Sequence, residues 1–188
     1  CRQAAEMILE KCEMPEAQVH FLVGGTQTNL TVIAAGLKPW QGVISADTGH
    51  INCHETGAIE ATGHKVLALP CRNGKLKGEQ IREVVRNHWE DATHEHMVQP
   101  GMVYISNPTE IGTIYHQKGL EELYRACQDC GLYLYIDGAR MGYGLMARDN
   151  DLTLPFIARH CDAFTLGGTK QGALFGEALV ITNPALGK

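Results

Sequence analysis

The sequence predicts an α/β protein, a mostly parallel sheet flanked by helices on both faces. Short apolar runs rich in β-branched residues alternate with stretches of helical period along the whole chain. Those runs are almost continuously apolar, as expected of strands buried on both sides rather than on one. The spacing between runs leaves room for the crossover helices that parallel neighbours require. In such sheets ligands bind at the carboxyl ends of the strands, so the residues just after each strand are the ones to inspect.

Residues 4–13 read as a helix with Ala5, Ile8, Leu9 and Cys12 on one face, and residues 20–23 as a short buried strand. A helix over 28–36 ends at Gly36, with Pro39 soon after. Residues 42–46 read as a strand, 55–62 as a helix stopped by Gly63, and 65–69 as a strand. Ile81, Val84, Val85 and His88 mark an amphipathic helix over 78–89, and 102–106 follows as a strand. A helix over 118–130 carries Gly131 at its left-handed terminating position and leads to a strand over 132–136. Residues 162–166 and 176–182 supply two more strands.

A chain of 188 residues can hold one domain with a full core, or one large domain and a scrap of another. Its net charge of −5 is unclustered, so nothing invites nucleic acid or an anionic membrane. No apolar run approaches membrane-spanning length, and no basic segment followed by an apolar one opens the sequence. Seven cysteines, odd in number and irregularly spaced, point to reduced thiols and a cytoplasmic location. Cys127 and Cys130 form a CxxC late in a helix, where a redox pair would be expected to open one. The sequence starts at Cys1, already in helical rhythm, which leads us to expect that part of the natural protein lies outside it.

The chemistry concentrates in Thr165-Leu-Gly-Gly-Thr-Lys-Gln-Gly-Ala-Leu-Phe-Gly176, where Lys170 sits among four glycines directly after a strand. Glycines let backbone and ligand approach closely. A lysine desolvated there would be a neutral amine able to form Schiff bases with carbonyls. Gly24-Gly25-Thr26 opens a helix with exposed amides and the positive end of the helix dipole, a site for phosphate. Asp137 follows the strand over 132–136, either as a helix cap or as the partner of a cationic ring nitrogen. Arg140 offers a planar fork for a carboxylate or phosphate, and His50 follows the strand over 42–46, able to stack on a flat ligand or move protons. Each feature alone has an ordinary structural explanation. Together they answer the needs of pyridoxal 5'-phosphate: a lysine for the aldehyde, a carboxylate for the pyridine nitrogen and a cradle for the phosphate.

Four motifs also carry a resemblance: Val23-Gly-Gly-Thr-Gln-Thr-Asn29, His50-Ile-Asn-Cys-His-Glu-Thr-Gly57, Tyr135-Ile-Asp-Gly-Ala-Arg140 and Gly167-Gly-Thr-Lys-Gln-Gly-Ala-Leu-Phe-Gly176. In this order they resemble the low-specificity threonine aldolases, within the β-eliminating lyase group of pyridoxal phosphate enzymes. The resemblance implies the aspartate aminotransferase fold type I, with residues 1–188 as its large domain and the family's N-terminal arm and C-terminal small domain missing. It implies that Lys170 holds the cofactor as an aldimine and that Asp137 pairs with the ring nitrogen. Gly25 and Thr26 would bind the phosphate with help from Thr169, and Arg140 would take the substrate carboxylate. His50 would stack on the ring and help remove the β-hydroxyl proton, so that retro-aldol cleavage yields glycine and an aldehyde. The partners implied are a small amino acid substrate and further copies of the chain, in a homodimer or homotetramer.

The sequence departs from the family at Ser106-Asn-Pro-Thr-Glu110, which puts Thr109 where several members carry a histidine near the β-hydroxyl. Two rival readings stay open from the residues. One is another reaction on the same fold, such as β-elimination or transamination. The other is a metal-binding or structural protein built on His50, Cys53 and His54, with His94 and His96 in addition. No second ligand pair at familiar spacing supports the metal reading, and the site residues include no metal ligand.

Overall fold

Successive side chains of a strand point to opposite faces of a sheet, so a strand apolar at every position must be covered on both sides. The computed structural model, which describes residues 1–174 and 176–187, has this arrangement. Strands β1 (Gln18–Leu22), β2 (Gln41–Ala46), β3 (Val66–Leu69), β4 (Gln99–Ser106), β5 (Tyr133–Asp137), β6 (Ala163–Gly167) and β7 (Glu177–Ile181) form one sheet in the order β1-β7-β6-β5-β4-β2-β3. β3, β2, β4, β5 and β6 are parallel, whereas β7 is antiparallel to both β6 and β1. The helices are α1 (Arg2–Cys12), α2 (Gly25–Gly36), α3 (His50–Cys53), α4 (Gly78–Glu90), α5 (Gln117–Asp129), α6 (Met141–Leu145) and α7 (Leu154–Arg159).

On one side of the sheet Ile44, Val103, Ile105, Leu134, Ile136 and Phe164 pack with Cys12 of α1, Ile81 of α4, Leu123 of α5 and Ile157 of α7. On the other side Val43, Met102, Tyr104, Tyr135 and Leu179 pack with Val32 and Ile33 of α2 and Ile51 of α3. Adjacent residues of one strand thus enter different cores. The end of α5 shows how the chain is steered into a strand. Gly131 takes a left-handed φ of 67°, its N–H donates to the Gln128 carbonyl, and the Leu132 N–H donates to the Cys127 carbonyl. This double closure ends the helix and aims the chain into β5, whose last residue is Asp137.

Several expectations need correction. The strand expected over 20–23 is β1, an edge strand and not a buried one: among the described residues it has β7 as its only strand neighbour, and Phe21 and Val23 are exposed. The helix expected over 55–62 is replaced by the short α3 upstream and a 3₁₀ turn at Glu60–Thr62. Thr56 and Gly57 both have left-handed φ, 52° and 77°, which a continuous right-handed helix excludes. Two helices were not expected. α6 carries two glycines in five residues and no period, but α7 had a readable start: Thr153 accepts a hydrogen bond from the Phe156 N–H, and a proline sits in its first turn. No helix among the described residues is long and apolar enough to cross a membrane.

Candidate active site

Five parallel strands deliver their carboxyl ends to one edge of the sheet, and antiparallel β7 begins there. At that edge lies a cleft of about 220 Å³. All seven residues singled out from the sequence line it: Gly25, Thr26, His50, Asp137, Arg140, Thr169 and Lys170. Asp137 and Lys170, far apart in sequence, come together because Asp137 ends β5 and Lys170 follows the neighbouring β6. Glycines permit the turns after those strands to touch backbone to backbone. A Cβ on Gly138 would lie 2.0 Å from the Thr165 carbonyl oxygen, and one on Gly167 would lie 2.6 Å from Ala139. In that space the Gly167 N–H donates to the Gly138 carbonyl (3.0 Å) and the Gly138 N–H to Thr165 Oγ1 (2.7 Å).

Asp137 is held in one orientation by three donors. Its Oδ2 accepts from Tyr104 OH (2.7 Å) and Asn29 Nδ2 (3.0 Å), and its Oδ1 from the Ala139 N–H (2.9 Å). Asn29 is itself fixed, accepting from Tyr135 OH at 2.7 Å and donating to Glu55 Oε1 at 2.9 Å. Burial, reinforced by the nearby Asp137 charge, pushes both phenols well above their ordinary range, so they stay neutral donors. A cap that needed only its own turn would not require this shell. The cap contact to Ala139 exists, but it is one bond of three.

His50 is the first residue of α3, and its ring lies 3.4 Å through Nε2 from Glu55 Oε1. Glu55 Oε2 is buried with no hydrogen-bond partner among the described residues. The stretch after β4 differs from expectation. Thr109 does not line the cleft; it is buried, with its hydroxyl paired to Thr113 Oγ1 at 2.8 Å. Glu110 faces the cleft instead, accepting from Ser106 Oγ and from the His50 N–H (3.1 Å). The turn closed by Thr109 and Thr113 points the neighbouring carboxylate the other way.

The first turn of α2 has Gly24 as its cap residue, with no side chain capping its amides, and added Cβ atoms at Gly24 or Gly25 would meet nothing within 4 Å. Free amides beside open space suit a phosphate. Lys170 is exposed in a turn past β6, so the expected desolvation of its amine does not occur in this chain; Tyr143 OH donates to its carbonyl at 3.1 Å. Arg140 is also exposed and forms no ion pair among the described residues. Thr169 Oγ1 donates to Glu177 Oε1 at 2.9 Å. Burial raises the Glu177 carboxyl above its ordinary value, a rise only partly offset by Thr169. Phe175 of the glycine-rich motif lies outside the described residues.

The three-part need of pyridoxal phosphate is thus met by residues present: an accessible lysine amine, a fixed acceptor carboxylate and an uncapped helix start. The metal alternative finds no such convergence. The Cys53 thiol donates to the Asp47 carbonyl at 3.0 Å, and no group of three His, Cys, Asp or Glu side chains among the described residues could hold an ion. Sequence reading missed Asn29, Tyr104, Tyr135, Ser106, Glu110 and Glu177 as parts of the site. Asn29 did stand in a quoted motif, one helical turn after Gly25, a position that follows from helical period.

Comparison with known proteins places these features. A family model described as beta-eliminating lyase matches residues 2–186. A low specificity L-threonine aldolase from a Pseudomonas species is 31% identical over 176 residues, which are 91% of this chain and 49% of that protein. The structure of Leishmania major threonine aldolase matches with a TM-score of 0.94 and 52% identity, over 99% of this chain and 53% of that one. Ureidoglycine-glyoxylate aminotransferase from Bacillus subtilis, at 20% identity, shares the fold with a TM-score of 0.70, over 99% of this chain and 44% of that one. The chain spans about half the length of the curated relatives it matches. The fold is that of the fold-type-I enzymes, which use pyridoxal 5'-phosphate. On the strength of a match that runs through nearly every residue, this chain belongs to the β-eliminating lyase family.

Proposed function

We propose that residues 1–188 form the cofactor-binding large domain of a pyridoxal-phosphate-dependent aldolase, which cleaves threonine, allo-threonine or related β-hydroxy-α-amino acids to glycine and an aldehyde. The observation that carries this reading is the meeting of Lys170, Asp137 and the uncapped start of α2 at one cleft. When bound, the cofactor supplies an electron sink for the pair released at Cα. Lys170 offers the amine for its aldehyde and Asp137 the carboxylate for its ring nitrogen. The Gly25 and Thr26 amides would hold its phosphate, and the Thr169 hydroxyl would join them by giving up its donation to Glu177. Arg140, with no ion pair of its own, is free to take the substrate carboxylate and so set which bond at Cα is aligned for cleavage. His50, which lines the same cleft, would cover the ring.

A homodimer or homotetramer is supported by large apolar side chains left exposed, among them Tyr143, Met146 and Leu174. Seven free thiols support a cytoplasmic location. Borohydride reduction of the cofactor-loaded protein followed by peptide mapping tests the site, with the label expected on Lys170. Product analysis tests the reaction: glycine plus an aldehyde is expected, whereas a keto acid would move the chain to an eliminating or transaminating member of the fold. Label on Lys38, Lys65 or Lys118 would overturn the assignment of the lysine.

A further inference from the structure

Three carboxylates line the cleft, and they are not equivalent. Asp137 and Glu177 are buried, with 6% and 5% of their surface exposed. Asp137 is committed to three donors, and Glu177 is held by Thr169. Glu110 is half-buried, and its two recorded donors, the Ser106 hydroxyl and the His50 N–H, both fall on Oε1. Its other oxygen is left for whatever enters the cleft. The imidazole is less available, because His50 Nε2 is directed to Glu55.

A proton count adds a second argument. A line of oxygens runs from Asp137 Oδ2 through Tyr104 OH (2.7 Å) and Ser106 Oγ (a further 3.2 Å) to Glu110 Oε1. With both carboxylates charged, the two hydroxyl hydrogens serve the two ends, and the middle contact has none. With a proton on Glu110 Oε1, Glu110 donates to Ser106, Ser106 to Tyr104 and Tyr104 to Asp137, so three hydrogens fill three contacts. The line of oxygens therefore has room for one more proton at Glu110 once the carboxyl turns its O–H toward Ser106, and Tyr104 donates to Asp137 in both states.

Resting on the proposed function, we infer that Glu110 is the catalytic base for the substrate's β-hydroxyl. Its carboxylate takes the hydroxyl proton. The O–H electron pair becomes the second C–O bond of the departing aldehyde, and the Cα–Cβ bond breaks with its pair retained on the Cα side. A proton from solvent or from the Lys170 amine then completes glycine, and Glu110 returns its own to water at the open mouth of the cleft. Ser106 is a positioning residue, keeping Glu110 turned toward His50.

The test uses the full-length, cofactor-loaded enzyme and Glu110→Gln, which keeps an acceptor oxygen for Ser106 and the His50 N–H. Cleavage of threonine should fall by about 10²–10⁴-fold, the usual scale for losing a general base. The cofactor dissociation constant, read by absorbance titration, should stay near that of the wild type. Exchange of the glycine α-hydrogen with deuterated water, which involves no hydroxyl, should fall far less than cleavage. Formate should partly rescue Glu110→Ala, which also covers the case in which the glutamine variant does not fold. Undiminished cleavage in Glu110→Gln would overturn the inference, as would an equal fall in cleavage and exchange, which would make Glu110 only a support for His50. A wild-type enzyme that yields no glycine would instead overturn the proposed function itself.

Discussion

On one side of β4 and β5 stand Val103, Ile105, Leu134 and Ile136, buried among α1, α4, α5 and α7. On the other side the same strands present Tyr104, Ser106, Tyr135 and Asp137, joined by hydrogen bonds to one another and to Asn29 of α2. Both sides are equally dry, yet they obey different rules. Aliphatic contacts are many, weak and non-directional, so that side is specified by volume and tolerates approximate matches. A buried polar group must find its partner at the right distance and angle or cost stability. The α2 side therefore holds its groups in fixed orientations, and it is there, at the carboxyl edge, that the cleft opens. Among the described residues two buried side-chain atoms have no partner, one on each side: Glu55 Oε2 within this network and His88 Nδ1 on α4.

If the two sides differ in this way, substitutions should separate activity from stability. The largest effect is expected from Asp137→Asn in the loaded enzyme. Asparagine can keep one oxygen for Tyr104 and Asn29, but it cannot offer a negative charge to the ring nitrogen. Turnover should fall by about 10²–10³-fold, the scale for losing one preorganised electrostatic partner. Stability should change by only about 1 kcal/mol, for the Ala139 bond. Steady-state kinetics beside thermal melting would show the split, and full activity in the variant would reduce Asp137 to a helix cap.

The opposite signature is expected from Leu134→Ala on the aliphatic side, next in chain to Tyr135 but facing the other core. It removes a fully buried side chain and leaves a cavity, costing about 2–5 kcal/mol of unfolding free energy. Turnover per folded, cofactor-loaded molecule should stay close to wild type. Urea unfolding gives the first quantity and active-site titration the second. A variant that lost turnover without losing stability would erase the distinction between the two sides.

This division also explains what could be read from sequence. Periodicity reports apolar residues, so strands β2 to β7, helices α4 and α5, and the parallel sheet were all legible. The glycine and charged motifs after the strands brought seven residues to one cleft without a structure. Tyr104 and Tyr135 were legible only as apolar strand residues, because a tyrosine in a buried run looks the same whether or not its hydroxyl is used. Glu110 was missed because the turn at Thr109–Thr113 decides which of two adjacent side chains faces inward, and strand or helix period does not extend into turns. The exposure of β1 likewise depends on its place at the sheet edge, a property of topology and not of its own residues.

The smallest effect concerns Glu177, which sits on the α2 side of β7 with its carboxyl raised by burial above the ordinary 4.5. A carboxyl whose folded pKa is raised is favoured by folding in its neutral form. Its contribution is therefore fully present below the unfolded pKa and is lost as pH climbs through the raised folded value. At neutral pH the charged Glu177 is a burden on the fold that Thr169 offsets in part. Glu177→Gln removes the charge and keeps a carbonyl for the Thr169 hydroxyl to donate to, so the cofactor-free variant should melt slightly above wild type at pH 7. The gap should close as pH falls through the raised carboxyl value toward 4.5. Melting curves of both proteins across that window provide the check. A gap that stayed constant with pH would assign the effect to packing, and a variant less stable than wild type at pH 7 would mean that Glu177 is held in its charged form by the groups around it.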